Sequence, residues 1–326
     1  MSTAKSNHFV GVDLGGTKIM AGVFDQNLEC LGWAKISTKS QRGPVAVIDR
    51  ISRCVVDAVD ECDLKLDQVR GIGLGAPGSV DPESGRVVFA PNLGWENVSL
   101  RKELEKRLER PVAVDNDCNI CTLGVYEKEL DSKPQHVVGI FLGTGIGGGL
   151  VVNGQPYGGF NRTAGEVGHM VIDINGPKCR CGNRGCFEAL ASRTAVFQRI
   201  RAAVKEGQKT LLTEMLGEEL EELRSGHLRK AIRRGDKLTE RIIKEVGEYA
   251  GIAVANLINV LSPEVVVIGG GLMEALEEEL IEVIQTKALQ SAMPGTTKGV
   301  SIRASRLGDD AGIVGGAVLA RRMTKG

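Results

Sequence analysis

Three cysteines and one histidine stand close together in the segment HMVIDINGPKCRCGNRGC, which starts at residue 169. They are His169, Cys179, Cys181 and Cys186. One imidazole and three thiolates suit tetrahedral Zn²⁺, and four protein ligands leave no open position for water, which is typical of a structural site. A redox disulfide is the weaker alternative, because a cytosolic chain keeps its thiols reduced. The spacing therefore predicts a structural zinc site in a glycine-rich loop.

Glycine-rich turns in this chain have the residue types of a phosphate site. A turn without Cβ atoms lets backbone N–H groups approach phosphate oxygens closely. A carboxylate beside such a turn, here Asp13, suits Mg²⁺, which binds through one or two carboxylates and the substrate's phosphates. The residues assigned to ATP are Gly15, Gly16, Thr17, Lys18, Gly143, Thr144, Gly145, Gly269, Gly270 and Gly271. For the first turn taken alone, a tight hairpin capped by Asp13 is an equal alternative.

The glycine pattern G-x-G-x-x-G occurs at 73–78 and at 143–148, but neither occurrence predicts a dinucleotide site. In a Rossmann fold this pattern opens a helix. Here the first occurrence is followed by the turn-forming segment SVDPESG and the second by the apolar segment GLVVNG. The sequence also contains no G-x-x-x-x-G-K-[ST] phosphate loop. A nucleotide would therefore be held by another architecture.

The elements that carry these residues form two related halves. Residues 9–25 and 137–154 both read as an apolar strand, a glycine turn and a second apolar strand. They align without gaps at an offset of 128 residues, so that Gly15 falls against Gly143. Further strands are predicted at 69–78, 111–119 and 264–271, and helices at 44–62, 99–110, 192–261 (several) and 272–290. The repeat predicts two related α/β domains.

The charge balance and the N-terminal residues argue against a nucleic-acid-binding, secreted or membrane protein. The 326 residues include 41 acidic and 41 basic side chains, whereas a nucleic-acid-binding protein is usually basic or carries a basic stripe. The N-terminal segment MSTAKSNHF lacks the apolar region of a signal peptide, and no apolar run approaches membrane-spanning length. We therefore expect a cytoplasmic protein with reduced cysteines and with no nucleic-acid or membrane partner.

The ordered motifs resemble those of one family. The segments GVDLGGTK, GAPG, PNLGW, DND, GTGIGGG, GEVGH and CRCGNRGCFE occur in the order found in the ROK family of repressors, open reading frames and sugar kinases. The resemblance runs from about residue 8 to GDDAGIVGGAVLA near the C-terminus. It implies an α/β fold of two related actin-like (ribonuclease H-like) ATPase domains around a cleft. We expect a small domain at 1–120, joined by a C-terminal helix at 311–326, and a larger domain with the zinc loop at 121–310.

The resemblance also implies how a sugar is bound. A sugar hydroxyl is a poor nucleophile and needs a positioned base, and Asp117 in VDNDCN is the implied base for a primary hydroxyl. One nitrogen of His169 can bind zinc while the other meets a sugar hydroxyl. The implied sugar ligands are Gly78, Asn92, Asn116, Asp117, Glu166, His169 and Glu188. Without the resemblance, a turn with capping Asx side chains would be the preferred interpretation of DND.

These implications favour an ATP- and Mg²⁺-dependent hexose kinase that converts glucose to glucose 6-phosphate and is a homodimer or homotetramer. N-acetylmannosamine or N-acetylglucosamine is the alternative substrate. The non-enzyme alternative is a sugar-responsive repressor that lacks its DNA-binding domain. In such a repressor a helix-turn-helix domain would precede the first strand, which here is expected near residue 9. Cys118 and Cys121 are interpreted as small buried residues at a helix start, with a redox motif as the alternative.

Overall fold

The computed structural model describes residues 7–324, which divide into two compact units. The first unit contains the described residues up to Gln135, the segment Gly149–Gly165 and the described residues from Asp309 onward. The second unit contains His136–Gly148 and Glu166–Gly308. Both units contain strands and helices, as expected for an α/β chain. None of the helices within residues 7–324 combines the length and apolar character needed to cross a bilayer.

Strands and helices are numbered in chain order. The strands are β1 (His8–Leu14), β2 (Lys18–Phe24), β3 (Cys30–Ser37), β4 (Val69–Ala76), β5 (Ser79–Asp81), β6 (Arg86–Ala90), β7 (Trp95–Val98), β8 (Val112–Asn116), β9 (Val137–Leu142), β10 (Ile146–Val152), β11 (Gln155–Pro156), β12 (Val265–Gly269) and β13 (Ser301–Ala304). The helices are α1 (Gly43–Asp60), α2 (Leu100–Leu108), α3 (Asp117–Lys128), α4 (Phe187–Ala191), α5 (Arg193–Lys205), α6 (Leu211–Leu216), α7 (Ser225–Arg233), α8 (Lys237–Leu261), α9 (Gly271–Ala275), α10 (Glu277–Ser291) and α11 (Ala311–Met323).

The first unit is built on a sheet with the strand order β3-β2-β1-β4-β8. β1 and β2 form an antiparallel hairpin, and β4 and β8 continue the sheet as strands parallel to β1. α1 packs against β2 and β3, and α11 packs against β1 and β4. β1, β2 and β4 are therefore buried almost throughout, whereas the edge strand β3 is largely exposed. The carboxyl ends of β1, β4 and β8 share one edge, and that edge carries Asp13, Gly78 and Asp117.

The second sheet has the order β11-β10-β9-β12-β13. β12 is parallel to both β9 and β13. The carboxyl ends of β9 and β12 carry the glycine turns 143–145 and 269–271, which therefore lie at the same edge. The boundary between the units falls within β10, whose first residues belong to the second unit.

The repeat inferred from the sequence is confirmed in the secondary structure. β9 ends 128 residues after β1, and β10 begins and ends 128 residues after β2. Each sheet also joins its hairpin to two parallel strands, with the same order across the sheet. The sequence did not indicate the small antiparallel sheet β5-β6-β7, because SVDPESG was interpreted as a turn only.

The division into units differs from the boundary expected at residue 120, which falls inside α3. α3 packs against α11, so residues 121–135 are part of the first unit, and Gly149–Gly165 returns to that unit. α11 lies in the first unit as well. The single helix expected at 272–290 is two helices, α9 and α10, which are separated at Leu276.

Glycines allow α11 to approach the first sheet at backbone distance. A Cβ atom built on Gly11 of β1 would lie 1.7 Å from the carbonyl oxygen of Ile313. One built on Gly73 of β4 would lie 1.9 Å from the carbonyl oxygen of Gly316. Neither distance is possible for a real side chain, so both positions require glycine. The C-terminal helix is therefore part of the first unit's core.

Candidate functional site

The first glycine turn joins β1 to β2 and is held in shape by a buried threonine. The N–H of Gly15 donates to the carbonyl of Lys18 over 2.9 Å. Thr38 is fully buried. Its N–H donates to the carbonyl of Thr17 (2.9 Å) and its hydroxyl donates to the carbonyl of Gly15 (2.7 Å). These bonds fix the backbone of the turn from within the protein.

Asp13 lies beside this turn, with its side chain against the first turn of α11. A Cβ atom on Gly312 would be only 2.9 Å from the Asp13 carboxyl carbon. Removal from water raises the pKa of Asp13 to about 6, while the ammonium of Lys18 opposes the rise and the carboxylate of Asp309 adds to it. Lys18 forms an ion pair with Asp309. A buried carboxylate next to a glycine turn fits the way Mg²⁺ is held with a nucleotide.

The DND segment stands at the junction of β8 and α3. Asn116 is the N-cap of α3: its side-chain oxygen accepts from the N–H groups of Cys118 (2.8 Å) and Asn119 (3.2 Å). Asp115 accepts from the N–H of Asn116 (2.6 Å) and the amide of Asn119 (3.1 Å). Asp117, the first residue of α3, accepts from the N–H of Cys118 at 2.8 Å. The carboxylate implied as the base is thus fixed to a helix N-terminus.

Gly78 and Asn92 lie in the same unit as Asp117. The carbonyl of Gly78 accepts from the side-chain amide of Asn116 over 3.0 Å. Gly78 has a φ of 85°, and a Cβ atom there would be 2.2 Å from the carbonyl of Phe89, so no other residue fits. Asn92 is exposed, and its carbonyl oxygen is 3.7 Å from a Cβ built on Gly16. Gly78 therefore lies next to Asn116, and Asn92 lies next to Gly16 of the first glycine turn.

The four residues expected to bind zinc come together in the second unit. Their ligand atoms all lie within 4.8 Å of one another. The sulfurs of Cys181 and Cys186 are 3.7 Å apart, and the sulfur of Cys179 is 3.8 Å from Nδ1 of His169. Tetrahedral Zn²⁺ with Zn–S bonds of about 2.3 Å places two sulfurs about 3.8 Å apart, whereas a disulfide needs about 2.0 Å. The spacing fits zinc and not a disulfide.

The two nitrogens of His169 face different partners. Nδ1 points to the thiols, and Nε2 is 3.9 Å from the carboxylate of Glu166. Burial and the neighbouring thiol of Cys181 raise the pKa of Cys186 to about 12, so a thiolate at that position needs a cation beside it. The imidazole can therefore hold a metal through one nitrogen and present the other on the Glu166 side.

The second glycine turn has a bond pattern like that of the first. The N–H of Gly143 donates to the carbonyl of Gly145 over 2.9 Å. The N–H of Ile146 donates to Oε2 of Glu188 over 2.9 Å. The N–H groups of Gly143 and Ile146 therefore donate to acceptors within the protein. The N–H groups of Thr144 and Gly145 lie between them in the turn. Of the three residues assigned to phosphate here, Gly143 contributes conformation rather than a donor.

The third glycine turn packs directly against the strand that leads into the second. Gly270 has a φ of 89°, and a Cβ atom there would be 2.7 Å from the carbonyl oxygen of Leu142. An open cavity of about 580 Å³ adjoins Gly271, a volume in the range of small-molecule sites. It is lined by Arg193, Phe197, Leu223, Arg224, Ser225, Gly226, Arg229, Gly271, Glu274 and Ala275. Three guanidinium groups and an apolar wall suit an aromatic ligand with negative charge.

Cys118 and Cys121 are half-buried cysteines at the start of α3, and neither is in a disulfide. Burial raises the pKa of Cys121 well above its usual range, and the carboxylates of Asp13 and Asp117 add to the rise. A reactive redox cysteine has a lowered pKa instead. The environment of Cys121 therefore suits a packed side chain better than a redox motif.

The site residues fall into two sets, one in each unit. The first set contains Asp13, Gly15, Gly16, Thr17, Lys18, Gly78, Asn92, Asn116 and Asp117. The second set contains Gly143, Thr144, Gly145, Glu166, His169, Cys179, Cys181, Cys186, Glu188, Gly269, Gly270 and Gly271. Sequence reasoning missed Thr38, Asp309, Arg193 and Thr194, which hold or adjoin the glycine turns. Asp309 stands in the segment GDDAGIVGGAVLA but was assigned no role, and the other three belong to no motif. Their contacts were therefore needed to find them.

Comparison with known families gives one match over almost the whole chain. The model described as ROK family matches residues 9–323. A glucokinase of Thermotoga maritima is 36% identical over 97% of this chain and 98% of its own length. An N-acetyl-D-glucosamine kinase of Pectobacterium carotovorum is 31% identical over 95% of this chain and 98% of its own.

Among solved structures, a ROK family glucokinase from Streptomyces griseus in complex with glucose and AMPPNP has the same fold. Its TM-score is 0.85, at 30% sequence identity, over 97% of this chain and 99% of that chain.

Proposed function

Because the chain belongs to the ROK family, we propose that it transfers the γ-phosphoryl group of ATP to the 6-hydroxyl of glucose. The observation that carries this proposal is the full-length likeness to glucokinases, at 36% identity for the Thermotoga maritima enzyme. The arrangement of the residues is consistent with that chemistry. A carboxylate, a divalent-cation ligand and glycine turns are the groups that phosphoryl transfer to an alcohol needs.

Asp117 is proposed as the general base. Its carboxylate takes the proton of the sugar 6-hydroxyl as that oxygen bonds to the γ-phosphorus and the bond to the β-phosphate bridging oxygen breaks. The N-cap bonds of Asn116 fix the helix end from which Asp117 projects. Asn116 also contacts Gly78, so Asp117 and these two proposed sugar ligands share one bonded framework. The full set of proposed sugar ligands is Gly78, Asn92, Asn116, Asp117, Glu166, His169 and Glu188.

The donor is proposed to lie along the glycine turns. The positive lining of the cavity beside Gly271 and its apolar wall at Phe197 and Leu223 suit a nucleotide base and its phosphates. Lys18 supplies positive charge at the first turn. Mg²⁺, held by Asp13 and the nucleotide, would neutralise charge on the β- and γ-phosphates. Backbone N–H groups such as those of Thr144 and Gly145 would orient the phosphoryl group.

Zinc is proposed as a structural ion bound by His169, Cys179, Cys181 and Cys186. With four protein ligands it would fix the loop that carries Glu166 and leads into Glu188, and it would leave no position for a reacting water. Elemental analysis of the purified protein should find one zinc per chain, and Cys181→Ala should lose it. Cys30→Ala, which changes an exposed cysteine outside the cluster, should keep it. Full activity without metal would remove the proposal.

A panel of hexoses with ATP in a coupled ADP assay tests the function. Glucose should give the highest kcat/KM, and ³¹P–¹H correlation should place the phosphate on O6. A higher kcat/KM for N-acetylglucosamine or N-acetylmannosamine would select the alternative substrate. The absence of ADP formation with every hexose, at concentrations where glucose binds, would favour a sugar-responsive binding protein instead.

The remaining expectations belong to the same proposal. A homodimer or homotetramer is expected, and sedimentation equilibrium measures it directly. A reducing, cytosolic compartment is expected because three cysteines are proposed as thiolate ligands, and thiols remain reduced there. Fractionation of cells that produce the protein would test the compartment.

A further inference from the structure

Glu188 touches the second glycine turn as well as belonging to the proposed sugar ligands. Its Oε2 accepts from the N–H of Ile146 over 2.9 Å. A Cβ atom built on Gly145 would lie 2.3 Å from the same oxygen. The carboxylate therefore occupies the space that any side chain at residue 145 would take. One oxygen of Glu188 is committed to the turn, and Oε1 is left for another partner.

The residues that follow Glu188 hold the same turn at two more points. The N–H of Arg193 donates to the carbonyl of Gly143 (3.0 Å), and its guanidinium donates to the hydroxyl of Thr144 (2.5 Å). The hydroxyl of Thr194 donates to the carbonyl of Thr144 over 2.7 Å. The turn and the segment 188–194 are thus joined by four hydrogen bonds. A displacement of one must move the other or break these bonds.

We propose that Glu188 is a positioning residue that couples hexose binding to donor binding. A sugar hydroxyl on Oε1 would fix the rotamer in which Oε2 holds Ile146, and so would hold the turn in one conformation. The N–H groups of Thr144 and Gly145 would then meet the donor phosphates already oriented. By linkage, a bound donor strengthens hexose binding by the same factor. This inference rests on the proposed function, because it needs both ligands to bind.

The expected strength of the coupling between hexose and donor binding follows from the hydrogen bonds that transmit it. Couplings between two sites in proteins are typically about 5- to 150-fold in affinity. A single carboxylate bond, supported by the bonds of Arg193 and Thr194, belongs in the lower part of that range. We therefore expect glucose to tighten binding of a non-hydrolysable ATP analogue about 10-fold.

Two glycine substitutions in the same turn separate this role from general effects on the site. Gly145→Ala would push the carboxylate of Glu188 off Ile146, because the new Cβ would be 2.3 Å from Oε2. Gly143→Ala is the matched control. Its Cβ would have the Gly145 carbonyl oxygen, 3.7 Å away, as its nearest neighbour, which is an ordinary contact.

The measurement is calorimetric titration with AMPPNP and Mg²⁺, with and without saturating glucose. The ratio of the two dissociation constants should be about 10 for the wild type and for Gly143→Ala, and close to 1 for Gly145→Ala. Equal ratios in the two variants would overturn the proposal. So would a ratio of 1 in a wild type that binds both ligands. A wild type that does not bind glucose would instead contradict the proposed function.

Hydrogen exchange on the wild type provides a second test that needs no variant. Glucose alone, without nucleotide, should slow amide exchange in peptides covering 143–148, including the Ile146 N–H. The peptides that carry Glu166 and Glu188 serve as the internal standard for sugar binding. Protection of those peptides without any change at 143–148 would overturn the coupling, even if Gly145→Ala failed to fold.

Discussion

Asp117 sits where two rigid elements meet, because it follows the last residue of β8 and is the first residue of α3. A base on such a junction has little freedom to drift, and effective positioning is a large part of catalysis in phosphoryl transfer. Asp115 and Asn116 fix the junction through bonds to Asn119 and Gly78. Within DND, Asp115 therefore supports the junction and Asn116 caps α3, whereas Asp117 is the proposed proton acceptor.

Replacement of the base should affect turnover rather than binding. Asp117→Asn keeps the shape of the side chain but cannot accept a proton, so kcat should fall about 10²–10⁴-fold. The dissociation constant for glucose should change little, because an amide can still bond to a hydroxyl. Steady-state kinetics and calorimetry measure the two quantities. Asp60→Asn, on an exposed position of α1, is the control, and a variant at residue 117 with wild-type kcat would rule out this base.

At this scale the sequence predicted residues whose types carry their own chemistry. His169 and the three cysteines could be identified because thiolates and an imidazole at short spacing are typical of a metal site. Thr38 and Arg193 could not be identified, since threonine and arginine are common everywhere and their partners in the turns are far away in the chain. Their roles come from geometry that only the folded chain creates.

Among the elements, α8 depends on one buried cap that it shares with a neighbour. Asp236 is 4% exposed and accepts from the N–H of Thr239 (2.8 Å) at the start of α8. Its other oxygen accepts from the hydroxyl of Thr210 (2.7 Å) and from the N–H of Leu211 at the start of α6. One carboxylate thus joins the N-termini of two helices, where negative charge is favourable.

Loss of this shared cap should be costly. Asp236→Ala leaves the Thr210 hydroxyl and two helix N–H groups without their partner, so the free energy of unfolding should fall by about 3 kcal/mol. Ser192→Ala removes a buried cap of α5 that accepts only from Ala195, and should cost about 1 kcal/mol. Urea unfolding followed by circular dichroism compares the two. Equal losses would show that the bonds to α6 contribute nothing.

The contribution of Asp236 should also depend on pH. Burial tends to raise its pKa, but hydrogen bonds from Thr239, Thr210 and Leu211 outweigh burial and lower it. Stability from a carboxylate with a lowered pKa is fully present above the unfolded value of about 3.9 and is lost as the pH falls through the folded value. The gap in stability between wild type and Asp236→Ala should therefore be largest at neutral pH and should narrow below about pH 4.

The first unit as a whole is closed by a helix from the other end of the chain. α11 meets β1 and β4 at glycines, and Glu127 of α3 pairs with Arg321 and Arg322 at 2.8 Å each. These contacts join residues separated by most of the sequence. The sequence predicted the repeated hairpins, which are local, but not the boundary of the units, which depends on how α3 packs against α11.

The close approach of α11 can be tested with a pair of glycine substitutions. Gly73→Ala would place a Cβ 1.9 Å from the backbone of Gly316, and backbone cannot rotate away as a side chain can. The free energy of unfolding should fall by about 3 kcal/mol or more. Gly226→Ala in α7 meets no atom within 4 Å and should be neutral or stabilising by up to about 1 kcal/mol. Urea midpoints as high for Gly73→Ala as for Gly226→Ala would contradict the packing.

The same helix sets an order of events when the protein is made. Translation at about 5–20 residues per second needs roughly 10 to 35 seconds to pass from Gln135 to Asp309. Throughout that interval the sheet faces at Gly11 and Gly73 exist without the helix that covers them. The second unit meanwhile receives all of its residues. The first unit, which begins to leave the ribosome before the second, is therefore completed last. Its uncovered sheet is the surface on which a nascent-chain chaperone would act.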